Sequence, residues 1–315
     1  MRVLITGGMG FIGGRLSQYL SEAGLSVIIG SRSLIQSLPW LPSGVVKQIN
    51  WSNDDEIQRA CQGVDVVVHA AGMNVRQCAV EPIRALEFNG LATARLVDAA
   101  VKAEVKQFIY LSTAHVYSST LSGLINEETC PLNLHPYATS HLAGEKAVLY
   151  ASERHGLNGL VIRLSNSFGV PAHPDVDCWT TIVNELCKQA VTQQMLVLHG
   201  NCMQQRDFIS ISEVVKVINQ FIKYGENSQF DFESHLVNLG SGRSMTLLEL
   251  TRLIQARCKI LLNFMPEIEC KINKPSPLLK YQSNHFNSTN NLINDDPIPE
   301  IDQLLLYCNE QFKVQ

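Results

Sequence analysis

The sequence predicts an α/β fold: a doubly wound parallel sheet with a smaller, discontinuous α/β lobe. Three observations predict it. An apolar strand runs into a glycine-rich turn and then a helix at the N-terminus, further short apolar runs do not alternate with polar residues, and helical segments lie between several of them. Strands covered on both faces read as continuous apolar runs, and the interposed helices supply that cover.

The elements follow in order. Arg2 to Ile5 supply the first strand, which enters Gly7, Gly8, Gly10 and Gly13; Ile12, Leu16, Tyr19, Leu20 and Ala23 then mark one helical face. Ser26 to Ile29 form a second run, Val45 to Ile49 a third and Val64 to Ala70 a fourth, with helices expected over Asp54 to Cys61 and Ile83 to Lys102. Gln107 to Leu111 and Gly159 to Leu164 add two more strands. From Ser165 the pattern changes to loops rich in Pro and His, a helix near Trp179 to Val191 and a strand at Met195 to His199. A helix at Ser212 to Phe221 and a strand at His235 to Leu239 return the chain to the main sheet, and Lys271 to Glu300 is polar and expected to be dominated by loops. The expected division is a Rossmann domain over 1–164 and 212–240, with a substrate lobe over 165–211 and 241–315.

The glycine run carries the first functional signal. Glycines permit the tight turn, let the backbone approach a pyrophosphate and let the helix pack closely on the strand, while the helix N-terminus offers free N–H groups to the anion. At the end of the second strand stand Gly30, Ser31, Arg32 and Ser33. NAD sites place a carboxylate there for the ribose hydroxyl, and NADP sites place an arginine for the 2′-phosphate, so Ser31 and Arg32 favour NADP(H) over NAD(H).

Composition bounds the rest. With 315 residues, 45% hydrophobic, 17% charged and a net charge of −4, the chain suits one Rossmann-sized domain plus a lobe and has no basic field for nucleic acid or anionic membrane. Nine cysteines are scattered without a C-x-x-C pair, which reads as reduced thiols in a cytoplasmic protein. Met1 leads straight into the first strand without a signal peptide, and no apolar run is long enough to cross a bilayer.

Several segments then align with one family. TGGMGFIG, VDVVVHAAG at 64–72, FNGLATARLVDAA at 88–100, FIYLSTAHVY at 108–117, PYATSH at 136–141, RLSNSFG at 163–169 and RDFISISEV at 206–214 resemble the extended short-chain dehydrogenase/reductases, and within them the NAD-dependent epimerase/dehydratase branch acting on sugar nucleotides. The resemblance implies that Gly7, Gly10, Phe11, Ile12 and Gly13 hold the pyrophosphate, Arg32 the adenosine phosphate, and Asn50 and Trp51 surround adenine. It places His69, Ala70, Ala71 and Gly72 along the cofactor, Asn89 as a support, Thr113 on the reacting oxygen and Tyr137 as the acid/base phenol. The family's lysine, four residues after the tyrosine, is His141 here. An ordinary imidazole carries little charge at neutral pH, so His141 is a weaker partner, or a cation from elsewhere compensates, or the redox step is lost. Lys146, nine residues from Tyr137, falls on the opposite helix face.

On the substrate side the resemblance points to Asn166 and Arg206 for a nucleotide diphosphate, with Arg76 and Trp179 bordering the pocket; Arg206 could instead pair with Asp207. The expected function is oxidoreduction at a hexose carbon of a nucleotide sugar, as a 4-ketoreductase or epimerase in a possible homodimer. Ala114 and His115 supply no Asp-Glu pair for a dehydratase. A non-catalytic NAD(P)-binding protein and a reductase of a non-sugar ketone are the alternatives.

Overall fold

The structure is a computed structural model that describes residues 1–33, 35–226, 235–285, 293 and 295–312. In chain order the Rossmann part opens with β1 (Arg2–Thr6), α1 (Phe11–Glu22), β2 (Ser26–Ser31), β3 (Val45–Gln48), α2 (Asp54–Cys61), β4 (Val66–His69), α3 (Val75–Val80) and α4 (Pro82–Ala85). A π-helical turn over Leu86–Leu91 leads into α5 (Ala92–Lys102), followed by β5 (Gln107–Thr113), β6 (Gly123–Ile125), α6 (Pro136–His155) and β7 (Asn158–Leu164). The remainder contributes β8 (Asn166–Phe168), α7 (Ile182–Gln193), β9 (Met195–Asn201), β10 (Gln205–Ser210), α8 (Ile211–Glu226), β11 (Leu236–Leu239), β12 (Ser244–Thr246), α9 (Leu247–Leu262), β13 (Glu267–Ile272), β14 (Leu279–Tyr281) and α10 (Pro297–Phe312).

The main sheet has seven strands in the order β11-β7-β5-β4-β1-β2-β3, all parallel. Its order reverses between β1 and β4, which opens a crevice beyond their C-terminal ends. Val3, Ile5, Ile29, Val68, Ile109 and Ile162 pack on one face with α1 and α8, while Leu4, Ile28, Val67, Phe108 and Val161 pack on the other with α2 and α5. Period-two alternation thus divides each apolar strand between two cores. A third core joins α7, α9 and α10 beside β9 and β10.

Helix starts are legible in local chemistry. Asn53 caps α2 by accepting from the N–H groups of Asp55 and Glu56, and Asp54, Asp55 and Glu56 favour the positive end of the helix dipole. Pro136 opens α6, where His135 Nδ1 accepts from the Tyr137 N–H at 3.1 Å. That helix ends at Gly156, whose φ of 67° is the left-handed conformation glycine adopts most readily.

Two expectations need correction, and a third, the loop-dominated stretch 271–300, holds among its described residues with a short strand and a helix start inside it. The helix over Ile83–Lys102 is not uniform: the π turn at Leu86–Leu91 adds a residue to its winding, which periodicity alone does not reveal. Within the polar stretch 271–300, Leu279–Tyr281 pairs with β6, Tyr281 is buried with its hydroxyl donating to the Arg163 carbonyl at 2.6 Å, and α10 begins at Pro297; 286–292 and 294 lie outside the described residues. Finally, Cys202 and Cys270 form a disulfide, their Cα atoms 6.2 Å apart, because the turn after β9 lies over its partner strand β13. The other seven cysteines are free, and all but Cys130 are buried.

Candidate active site

A cleft of about 890 Å³ opens at the crevice, between the ends of β1, β4 and β5 and the lobe. The β1–α1 turn forms its floor with Gly7, Gly10, Phe11, Ile12 and Gly13. Gly7 has φ +71°, and a Cβ there would stand 2.6 Å from the Ala71 nitrogen; a Cβ on Gly13 would overlap the Gly7 carbonyl oxygen. Gly10 N-caps α1 without a side-chain cap, so the first-turn N–H groups remain available. This bare cradle at a helix N-terminus fits a dinucleotide pyrophosphate.

The backbone of Ala70, Ala71 and Gly72 forms the next wall, but His69 does not reach the cleft. Successive strand residues point to opposite faces, and its ring is turned into the core. There Nδ1 lies 2.5 Å from Thr6 Oγ1 and Nε2 lies 2.8 Å from Thr93 Oγ1. Burial lowers its pKa to about 3, which keeps the ring neutral. The expectation that His69 lies along a cofactor is therefore corrected: it is a core histidine.

Ser31, Arg32, Asn50 and Trp51 also stand outside the cleft lining. Arg32 is exposed, with its guanidinium 5.7 Å from the Phe88 ring centroid, and Trp51 meets that ring edge-on at 5.9 Å. Asn50 uses its side chain locally, accepting from the Ser52 N–H at 3.1 Å, because it opens the turn into α2. Phe88 was not anticipated as part of this surface; its place follows from the π turn.

At the opposite end, Thr113 closes β5, and Tyr137 and His141 project into the cleft from successive turns of α6. Their rings meet edge-on, with centroids 4.6 Å apart. Burial raises the Tyr137 phenol, the Thr113 hydroxyl opposes that shift, and the nearby Cys78 adds to it. His141 is 6% exposed, its Nδ1 lies 2.9 Å from the Tyr110 hydroxyl, and burial lowers its pKa to about 4. Asn89 ties the site together: its Oδ1 accepts from the Met73 N–H at 2.8 Å, and its Nδ2 donates to Ser140 Oγ at 3.1 Å. The π turn that carries Asn89 sits against α6, as π turns often do at functional sites.

Beneath this wall lies a buried ion pair absent from the sequence reading. Arg163 donates through Nε and Nη2 to Glu145 at 3.0 and 2.7 Å, and Ser112 Oγ donates to the same carboxylate at 2.5 Å. The signal was present in the spacing, since 137, 141 and 145 share one face of α6.

On the lobe side, Arg206 lines the cleft and donates to Gln204 Oε1 at 3.2 Å. It does not pair with Asp207, which points the other way and accepts from Ser165 Oγ at 2.7 Å and from the Ser241 N–H at 2.9 Å. Among the described residues no carboxylate offsets the Arg206 guanidinium, whose pKa burial lowers. Asn166 Nδ2 donates to the Asp207 carbonyl at 2.9 Å while still lining the cleft; Arg76 is exposed at its rim. Trp179 is anchored on α10, 4.8 Å from Phe312 and 6.2 Å from Tyr307, between ring centroids. His115 shares the lobe-facing wall, with its pKa lowered by burial and then by the charge of Arg206.

A parallel sheet in this order, a glycine cradle at its switch point and a Thr–Tyr pair beside it define a dinucleotide-binding oxidoreductase class. Comparison with known proteins agrees: the sequence profile described as "NAD dependent epimerase/dehydratase family" matches residues 3–240, and the chain belongs to that family. It is 26% identical over 278 residues to an uncharacterized UDP-glucose epimerase of Bacillus subtilis, covering 81% of each chain. It is 25% identical to a dTDP-glucose 4,6-dehydratase of Streptomyces niveus, covering 82% of this chain and 78% of that one. Among solved structures, a UDP-glucuronic acid 4-epimerase from Bacillus cereus, in complex with UDP-glucuronic acid and NAD, superposes with a TM-score of 0.78 at 19% identity, covering 99% of this chain and all of the other.

Proposed function

We propose that the protein is a nicotinamide-dependent enzyme that oxidises or reduces a hexose carbon of a nucleotide sugar. The observation that carries this reading is the cleft itself, which puts the glycine cradle, the Thr113–Tyr137 pair and the unpaired Arg206 on one continuous surface. The cradle would hold the pyrophosphate, and the bound nicotinamide would exchange a hydride with the sugar carbon. Tyr137 moves the proton at the sugar oxygen, with Thr113 directing a hydroxyl to it, while Arg206 and Asn166 meet the diphosphate; a guanidinium suits phosphate through paired donors. Tyr137 and Thr113 together favour an enzyme over a non-catalytic binding protein.

The finer assignments belong to the same proposal. Arg32 at the end of β2, with no carboxylate beside it, supports NADP(H) over NAD(H). The Rossmann domain takes 1–164 and 212–240, and the lobe the rest. A homodimer is supported by exposed Val80, Ile83, Leu86 and Leu91 on α3 to α5, together with Tyr150 on α6. Six buried free thiols favour a cytoplasmic location, against which the Cys202–Cys270 disulfide counts, and no helix among the described residues is long and apolar enough to cross a membrane.

The test follows NADPH absorbance against a panel of nucleotide-linked 4-keto-hexoses. Turnover that disappears in Tyr137→Phe supports the enzyme. Tight binding of cofactor and sugar with no turnover on any member of the panel would overturn it.

A further inference from the structure

We propose that the lobe completes the dinucleotide cradle: His173, on the loop between β8 and α7, is a positioning residue that holds the Met9–Gly10 peptide of the glycine turn in its anion-binding orientation. The inference deepens the function proposed above and rests on it.

The glycine turn binds through its backbone, so the orientation of each peptide unit decides what it offers an anion. The Met9–Gly10 unit stands immediately before the first turn of α1, and both of its polar ends are held. Its N–H donates to the Gly7 carbonyl at 2.8 Å, inside the turn. Its carbonyl lies 3.2 Å from His173 Nε2. A carbonyl oxygen has no proton to give, so Nε2 carries the hydrogen and the imidazole donates whether it is neutral or charged. The other ring nitrogen, Nδ1, faces the exposed Asp175 carboxylate at 3.9 Å.

The His173 ring is itself fixed. It stacks on Trp40 with centroids 5.0 Å apart and planes 19° apart, and its side chain is only 9% exposed. Trp40 lies between β2 and β3, on a loop whose Leu38 and Leu41 are buried in the same core as Leu16 and Leu20 of α1. Gln18 of α1 joins the two loops, donating to the Trp40 carbonyl at 3.3 Å and to the Ala172 carbonyl at 3.4 Å. Gly14 makes room for this docking, since a Cβ there would stand 3.1 Å from the Ala172 methyl carbon. At its start the loop is pinned by Asn184, which accepts from the Gly169 N–H at 3.1 Å and donates to the Gly169 carbonyl at 2.9 Å. His173 and Trp40 stand behind the cleft lining, so they act through the backbone of the cradle and not by touching the anion.

The consequence is a preset binding surface. Met9 is flanked by Gly8 and Gly10, and glycine backbone has the most conformational freedom to lose on ordering. A cradle always held in its competent form binds at its intrinsic affinity, whereas one competent only about a tenth of the time binds about 10-fold more weakly. Beyond His173 the same loop runs on to Asp177, Trp179 and Thr180 in the cleft wall, so one segment of the lobe braces the cradle and lines the cleft.

Equilibrium fluorescence titration of NADPH and NADH on the wild type, His173→Phe, His173→Ala and His173→Gln tests the proposal. Phenylalanine keeps a ring against Trp40 but has no donor, alanine keeps neither, and glutamine places an amide donor as many bonds from Cβ as Nε2. His173→Phe and His173→Ala are expected to bind the tighter of the two cofactors about 10-fold more weakly than the wild type, and His173→Gln within about 3-fold of it. A urea midpoint for each variant separates the donor from general stability. Wild-type affinity in His173→Phe, no recovery in His173→Gln, or affinity losses that follow the urea midpoints instead of the donor would overturn the proposal. A wild type that binds neither dinucleotide refutes the functional reading and the proposal with it, whereas cofactor binding that His173→Phe leaves unchanged refutes the role of His173 alone.

Discussion

Replacing Glu145 with glutamine tests the buried pair beneath the active-site wall. The Glu145 side chain is fully buried and that of Arg163 only 3% exposed, and the carboxylate accepts both guanidinium donors as well as the Ser112 hydroxyl. Glu145→Gln keeps the shape but leaves the guanidinium charge uncompensated in the core. Breaking a buried pair from one side costs about 3 to 5 kcal/mol, because the orphaned charge has lost both water and partner. At about 2 cal/mol/K of unfolding entropy per residue, that is a fall of about 6 °C in Tm for a chain of this length. Urea denaturation of the wild type, Glu145→Gln, Arg163→Met and the double variant Glu145→Met/Arg163→Met reads the effect. The double variant is expected to be more stable than either single one, since it buries no lone charge. A Glu145→Gln protein within about 1 kcal/mol of the wild type would refute the reasoning.

Three further outcomes are expected. Gly13→Ala places a methyl group on the Gly7 carbonyl, so NADPH affinity measured by fluorescence should fall at least about 100-fold while far-ultraviolet circular dichroism keeps the fold. Arg206→Gln removes the unpaired guanidinium from the cleft, and calorimetry should show nucleotide-sugar affinity about 10- to 100-fold weaker with cofactor affinity unchanged. Folding stability should decline as pH falls from about 6.5 towards 4, because His69 and His141, with pKa values near about 3 and about 4, stay neutral in the fold while the unfolded chain takes up protons. Each contributes up to about 1.4 kcal/mol per pH unit in that window, and His69→Gln or His141→Gln should flatten the urea-midpoint profile accordingly.

Much of the fold was legible because its signals are local. Non-alternating runs such as Val66–His69 and Gln107–Thr113 mark a sheet covered on both faces, and the glycines of the first turn mark its switch point. The π turn at 86–91 was not legible, since one extra residue in a helix leaves apolar periodicity nearly intact. The same limit applies at the site. Order along the chain brought Thr113, Tyr137 and His141 to one cleft, but not the face that His69 takes or the contact between His141 and the Tyr110 hydroxyl. The Arg206–Asp207 ambiguity needed the strand: adjacent residues on β10 point apart, so each finds different partners. Cys202 and Cys270 lie 68 residues apart in sequence, and only the β9–β13 pairing brings them together.

The most direct measurement is isotope transfer from deuterated NADPH to a nucleotide-linked 4-keto-hexose, read by mass spectrometry of the sugar. The label is expected on the product hexose in the wild type and absent from it in Tyr137→Phe. Retention of the label on the cofactor, in wild-type protein shown by calorimetry to bind both molecules, would contradict hydride transfer at this site.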